Sequence, residues 1–136
     1  MDLGNTFDTT TVTYGHARKV WREIRHQYPA GGTISNVSAW SSAGKIPSGT
    51  PCKYDAANKT ITAYPDATVS GAADAAAVVA LGINGYLQED VVIKSNSTVG
   101  TGTVIYAGEI YEYMFASAVL EKLKLNTLTP MIVFVQ

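Results

Sequence analysis

Between Val91 and Tyr106 the chain carries two short β-branched runs, Val91-Val92-Ile93 and Val104-Ile105-Tyr106. A linker of Ser, Asn, Thr and Gly separates them. Runs of this kind bounded by turn residues read as strands. A third apolar run, Ala77-Val78-Val79-Ala80-Leu81, stops at Gly82, and Asn84-Gly85 offers a pair that tolerates positive φ, so a chain reversal is expected there. After Gly108, the residues Glu109 to Tyr113 alternate polar and apolar, as a half-buried strand does. Residues 77–113 are therefore expected to form a β meander to which the other segments attach.

With 136 residues, one domain with a real core is expected. Charged residues make up only 15%, below the usual ~25%, which fits a β-rich domain with part of its surface covered by partners. A net charge of −1 gives no general reason to expect nucleic acid as a ligand. Cys52 is the single cysteine, so no internal disulfide is available. No apolar run approaches ~20 residues, so no membrane span is expected, and MDLGNTFDTT lacks the basic and apolar regions of a signal peptide. The Asn-x-Ser/Thr triplets at Asn36, Asn58 and Asn96 read as turn chemistry.

Residues 1–14, Thr- and Asp-rich with Leu3, Phe7 and Val12 as isolated apolar residues, read as an extended arm. A helix is expected from His16 to Gln27, with Ala17, Val20, Trp21, Ile24 and Tyr28 on one face. Arg18, Lys19, Arg22 and Arg25 fall on the other face against Glu23 alone. That segment carries +3, while the remaining six basic and ten acidic residues give −4. Such a helix either lies on its own domain with a solvated basic face or docks on an acidic partner surface, protein before nucleic acid.

Strands are expected within Thr33–Trp40, at Cys52–Tyr54 as an edge strand after the Pro47–Pro51 turn, and at Thr60–Tyr64. Asp55–Lys59 reads as a turn and Pro65–Asp74 as loop. Phe115–Leu125 has helical spacing at Ala116, Val119, Leu120 and Leu123, and Met131–Val135 reads as a buried apolar strand. Together these describe a mixed, β-dominated chain. Residues 33–136 would form a small antiparallel β barrel or sandwich-like domain with one short C-terminal helix. Residues 1–32 would form an arm plus a basic amphipathic helix.

Site chemistry is sparse. His16 and His26 have no ligand cluster beside them, and Cys52 has no nearby histidine to activate it. Glu89-Asp90 and the Glu109, Glu112 pair read as solvated acids. Gly100-Thr101-Gly102-Thr103 lacks the lysine and following helix of a phosphate loop and reads as a turn. Neither a catalytic residue, a metal nor a cofactor is expected. Tyr54, Tyr64, Tyr86, Tyr106, Tyr111 and Tyr113 could instead line a sugar platform in a glycan- or host-receptor-binding module, although strand tyrosines usually fill cores and interfaces.

Three features in order carry a resemblance. The first is Ile46-Pro47-Ser48-Gly49-Thr50-Pro51-Cys52-Lys53-Tyr54-Asp55. The second is Ala80-Leu81-Gly82-Ile83, then Glu89-Asp90-Val91-Val92-Ile93, a Gly/Thr turn, and Gly108-Glu109-Ile110-Tyr111-Glu112-Tyr113. The third is a short helix followed by the apolar run Met131 to Val135. Over roughly Thr33 to Gln136 this order resembles the head-decoration and head-fibre proteins of tailed bacteriophages. The resemblance implies a β-dominated domain, made in the host cytoplasm, that trimerises on the outer surface of a capsid. Its partners would be the major capsid protein and, where a fibre is anchored, a fibre protein. It implies no enzymatic activity, nucleic acid or membrane partner. Arg18, Lys19, Val20, Trp21, Arg22, Ile24 and Arg25 lie outside the resemblance; they are expected to dock on the capsid because they combine a basic face with an apolar one.

Overall fold

A computed structural model describes residues 19–94 and 99–136. In chain order the strands are β1 Trp21–Gln27, β2 Gly32–Ile34, β3 Lys45–Ile46, β4 Pro51–Asp55, β5 Thr60–Ala63, β6 Gly85–Leu87, β7 Val91–Val92, β8 Gly100–Gly102, β9 Val104–Tyr111 and β10 Ile132–Val135. Three short helices join them, α1 Asp66–Ser70, α2 Ala75–Ala80 and α3 Ser117–Leu123, with 3-10 turns at Val37–Trp40 and Glu112–Met114. The main sheet runs β8-β2-β5-β4-β6-β9-β10 and curls into a half-barrel, while β3 and β7 form a separate ribbon. This is the β-dominated, barrel-like class expected from the sequence.

The organising strand is β9. One of its edges carries β1 along nearly its whole length; the other carries β6 at Val104-Ile105 and then β10, in parallel, from Gly108 to Tyr111. Successive side chains of a strand point to opposite faces, so β6 and β9 feed two cores. Leu87 and Val104 enter one core with Ile34, Trp40, Ile61 and Tyr54. Tyr86 and Ile105 enter the other with Trp21, Val69, Val119, Leu123 and Ile132, where α1 and α3 supply the cover. Gly108 makes the close β1–β9 approach feasible: a Cβ there would stand 2.5 Å from the Glu23 carbonyl oxygen.

Two asparagine side chains act as one-residue strands. The Asn84 amide accepts from the Tyr54 N–H at 2.7 Å and donates to the Tyr54 carbonyl at 3.0 Å. Asn36 does the same for Ala63, at 3.0 and 2.6 Å. Each satisfies backbone groups that the neighbouring strand is too short to reach. Asn36 and Asn58 both lie in turns as expected: Asn36, in the turn after β2, also braces the sheet, and Asn58 is bonded to Asp55. Asn96 lies outside the described residues.

Several expectations are corrected. Residues 21–27 form strand β1, not the C-terminal half of a helix; Ile24 pairs with Gly108 of β9, and Arg25 is the residue skipped at the bulge beside it. Tertiary pairing outweighs the helical spacing because β9 would otherwise present an unpaired edge. The run Ala77–Leu81 lies in and after helix α2, not in a strand. Its signals are the Asp74 carboxylate capping the Ala77 N–H at 2.9 Å, a run of alanines, and Gly82 with φ 75° just beyond the end. Asn84-Gly85 makes no hairpin, since Gly85 already opens β6. Pro65–Asp74 contains α1, and Gly100–Gly102 is strand β8, paired with β2. The strand expected within Thr33–Trp40 ends at Ile34, and the 3-10 turn follows Asn36. β4 lies inside the sheet rather than at its edge, because Pro51 occupies its first position, where a missing N–H is tolerated. β10 is the terminal strand of its path: Ile132 is buried but Met131 and Val133 are exposed.

Candidate functional site

Two surfaces follow from this framework. The first is β1, where the expected docking residues lie. Arg18 falls outside the described residues. Lys19 is exposed, and its carbonyl accepts a hydrogen bond from the Tyr113 hydroxyl. Val20 is partly buried against the second core, and its carbonyl accepts from the Tyr111 N–H at 3.0 Å. Trp21 is only 7% exposed and packs among Ile105, Ile110 and their neighbours, which makes it a core residue and leaves it unable to reach a partner as a surface anchor. Ile24 is 40% exposed.

The arginines are not free charges. Arg22 donates to Glu109 at 2.6 Å, and Arg25 bridges Glu23 at 3.2 Å and Glu109 at 3.1 Å. Glu109, on β9, lies opposite Glu23 of β1, so sheet pairing brings a second carboxylate to the basic segment. Lys19, Arg22 and Arg25 against Glu23 and Glu109 leave a charge of +1. The hydrogen bond to Glu23, then its charge, raise the Arg25 pKa further. This edge of the sheet is a salt-bridged, charged strand of the kind that resists edge-to-edge pairing.

The second surface is a polar groove of about 660 Å³ where three chain reversals converge. The β1–β2 turn contributes Gln27 and Gly31, the loop after β6 contributes Gln88, Glu89 and Asp90, and the β8 region contributes Thr101 and Thr103. Thr33 of β2 stands directly opposite Thr101 and beside Thr60 of β5, so hydroxyls form a row across the outer face of three strands. Ala30 and Lys59, the two non-glycine residues with positive φ among the described residues (68° and 55°), both line this groove. Gly31 shares the left-handed conformation at φ 59°, and a Cβ there would stand 2.7 Å from the Gly102 carbonyl oxygen. From the core side, the Tyr54 hydroxyl donates to the Gly31 carbonyl at 3.0 Å and holds the turn in place. Asp90 is already committed: it accepts from the Ser48 N–H at 2.7 Å and pairs with Lys45 at 3.4 Å. The residues of this groove are scattered over 27–103, so no local pattern marks them; the one signal in the sequence is the Gly31-Gly32 pair, which tolerates positive φ.

The tyrosines do not assemble into a platform. Tyr54 and Tyr86 are core residues, and Tyr64 spends its hydroxyl on the Leu81 carbonyl at 2.5 Å. Tyr28, Tyr54 and Tyr106 stack into a column that ends on exposed His26. Tyr111 and Tyr113 form a separate stacked pair with centroids 5.0 Å apart. Burial pushes the Cys52 thiol pKa far up, so the thiol is inert. Among the described residues no group of three or more His, Cys, Asp or Glu side chains could hold a metal ion, and no helix is long and apolar enough to cross a membrane. No protein-family model matches the chain, and no curated protein matches it.

Proposed function

We propose that this is a structural virion protein that binds the outer surface of a tailed-bacteriophage capsid, stabilising the head or anchoring a head fibre. One observation carries the reading: the ordered resemblance of residues 33–136 to head-decoration proteins, whose segments fall on the main sheet, its helical cover and the β3–β7 ribbon. Ile46–Asp55 spans the Pro turn and β4, Glu89–Ile93 spans β7, Gly108–Tyr113 lies on and just after β9, and the last segment is α3 and β10. The functional copy is a homotrimer. Leu125, Leu128, Met131 and Val133, all exposed within one short stretch around the end of α3 and β10, are the apolar surface that supports burial between copies.

In this reading docking belongs to residues 1–18 together with the exposed side chains of Lys19, Arg22, Ile24 and Arg25, while Trp21 supports the sheet beneath them. The test uses capsids assembled from the major capsid protein of the phage that carries this chain. Purified protein is added at saturating concentration and occupancy is read by electron cryomicroscopy. Density at the threefold positions is expected; bare capsids would refute the function. A protein lacking residues 1–18 that decorates at full occupancy would refute the docking assignment alone.

A further inference from the structure

We propose that the polar groove between the β1–β2 turn, the loop after β6 and strand β8 is a binding site for a neutral oligosaccharide. Its volume of about 660 Å³ lies inside the ~300–1,000 Å³ of small-ligand sites. The chemistry of its walls selects the ligand class. Gln27, Gln88, Thr33 and Thr101 each both donate and accept hydrogen bonds, which matches hydroxyl groups that also do both. Apolar lining is limited to Ala30 and Val91, too little to hold a hydrophobic ligand. Lys59 and the Lys45 paired with Asp90 balance Glu89 and Asp90, so the groove holds no excess positive charge to select phosphate, sulfate or sialylated ligands. With Asp90 held by Lys45 and the Ser48 N–H, Glu89 is the carboxylate left to accept from a pair of sugar hydroxyls.

The walls are built, not incidental. The left-handed residues Ala30, Gly31 and Lys59 sit on two separate turns that face the same space. Such conformations persist where surrounding structure enforces them, and they concentrate at ligand clamps. Here the enforcement is visible in the Tyr54 hydroxyl on Gly31 and in the Gln88 backbone, whose N–H donates to Thr103 at 2.9 Å and whose carbonyl accepts from Ser48 Oγ at 2.6 Å. The side chain of Gln88 is thereby presented on a fixed backbone, so no backbone ordering is needed on binding.

The test requires only free protein in solution, so its failure is distinct from failure of the capsid reading. The protein is screened against immobilised neutral glucose-, galactose-, mannose- and N-acetylglucosamine-based oligosaccharides and their sialylated counterparts. Any glycan retained is then titrated in solution with backbone amide shifts recorded. The expected result is retention of a neutral glycan, with affinity insensitive to salt and shifts centred on Gly31, Gly32 and Gly102. Gln27→Ala and Thr101→Val, both at exposed positions, should each weaken binding by about threefold to tenfold without moving the melting temperature. Thr101→Ser, which keeps the hydroxyl, should bind as the parent does. No retention of any neutral glycan, retention of sialylated glycans alone, or shifts centred on His26 and Tyr106 would each overturn the proposal.

Discussion

Replacing Trp21 by alanine separates the sheet role of β1 from a docking role. Trp21 is 7% exposed in the second core, and its indole N–H makes only a long 3.4 Å hydrogen bond to the Leu87 carbonyl. That carbonyl also accepts from the Gly49 N–H at 2.8 Å, so it stays satisfied when the indole is removed. The loss is therefore one of packing. Truncating a buried tryptophan costs ~3–5 kcal/mol, because the side chain's burial is lost and the surroundings refill the void only in part. For 136 residues the unfolding entropy is ~0.29 kcal/mol/K, so the melting temperature should fall by about 10–17 °C. Urea titration followed by circular dichroism gives the free energy, and Trp21→Phe, which fills more of the space, should lose less than half as much. Arg22→Ala, at an exposed position, serves as the control and should move stability by under ~1 kcal/mol. An unchanged unfolding midpoint in Trp21→Ala, with capsid binding lost, would refute the core placement and restore Trp21 as a surface anchor.

Gly108→Ala should destabilise by ~1–3 kcal/mol in a urea titration, since the new methyl meets the Glu23 carbonyl and must push β1 off β9. Tyr86→Phe should cost little or even stabilise, within ~1 kcal/mol by the same titration, because among the described residues the buried phenol oxygen makes no well-formed hydrogen bond, only a weak approach to the Thr129 side chain. Burial raises the folded-state pKa values of Tyr86, Tyr28, Tyr64 and Cys52, so unfolding releases protons once the unfolded groups can ionise. These groups stabilise the fold fully below about pH 8, and stability should decline as pH rises through about 9 to 11, by up to ~1.4 kcal/mol per pH unit for each of the deeply buried Tyr86 and Cys52 and by less for the partly exposed Tyr28 and Tyr64; a midpoint in urea that stays flat to pH 11 would contradict the burial. Glu109→Gln should weaken stability by ~1 kcal/mol or less and lessen its salt dependence, because Arg22 and Arg25 are about half exposed while they share that carboxylate.

Local chemistry was legible where a residue type has one strong use. The tight turn at Pro47–Pro51 appears as the Thr50 N–H and hydroxyl both bonded to the Pro47 carbonyl. The Asp55–Lys59 turn is closed by Asp55 accepting from Ala57 and Asn58. The helical spacing over 115–125 contains α3, the run 104–106 and most of the alternating stretch 109–113 fall on β9, and the apolar run 131–135 contains β10. What the sequence could not decide depends on partners distant in the chain. Arg22 and Arg25 look like free cations until β9 places Glu109 between them, across more than eighty residues of sequence. The spacing of Val20, Trp21 and Ile24 suits a helix equally well; the backbone of β9, needing a partner along its whole edge, makes the segment a strand. The polar groove is tertiary in the same sense. Gln27, Lys59, Gln88 and Thr101 acquire a common site only because three reversals meet at one end of the curled sheet, a juxtaposition that no local pattern encodes.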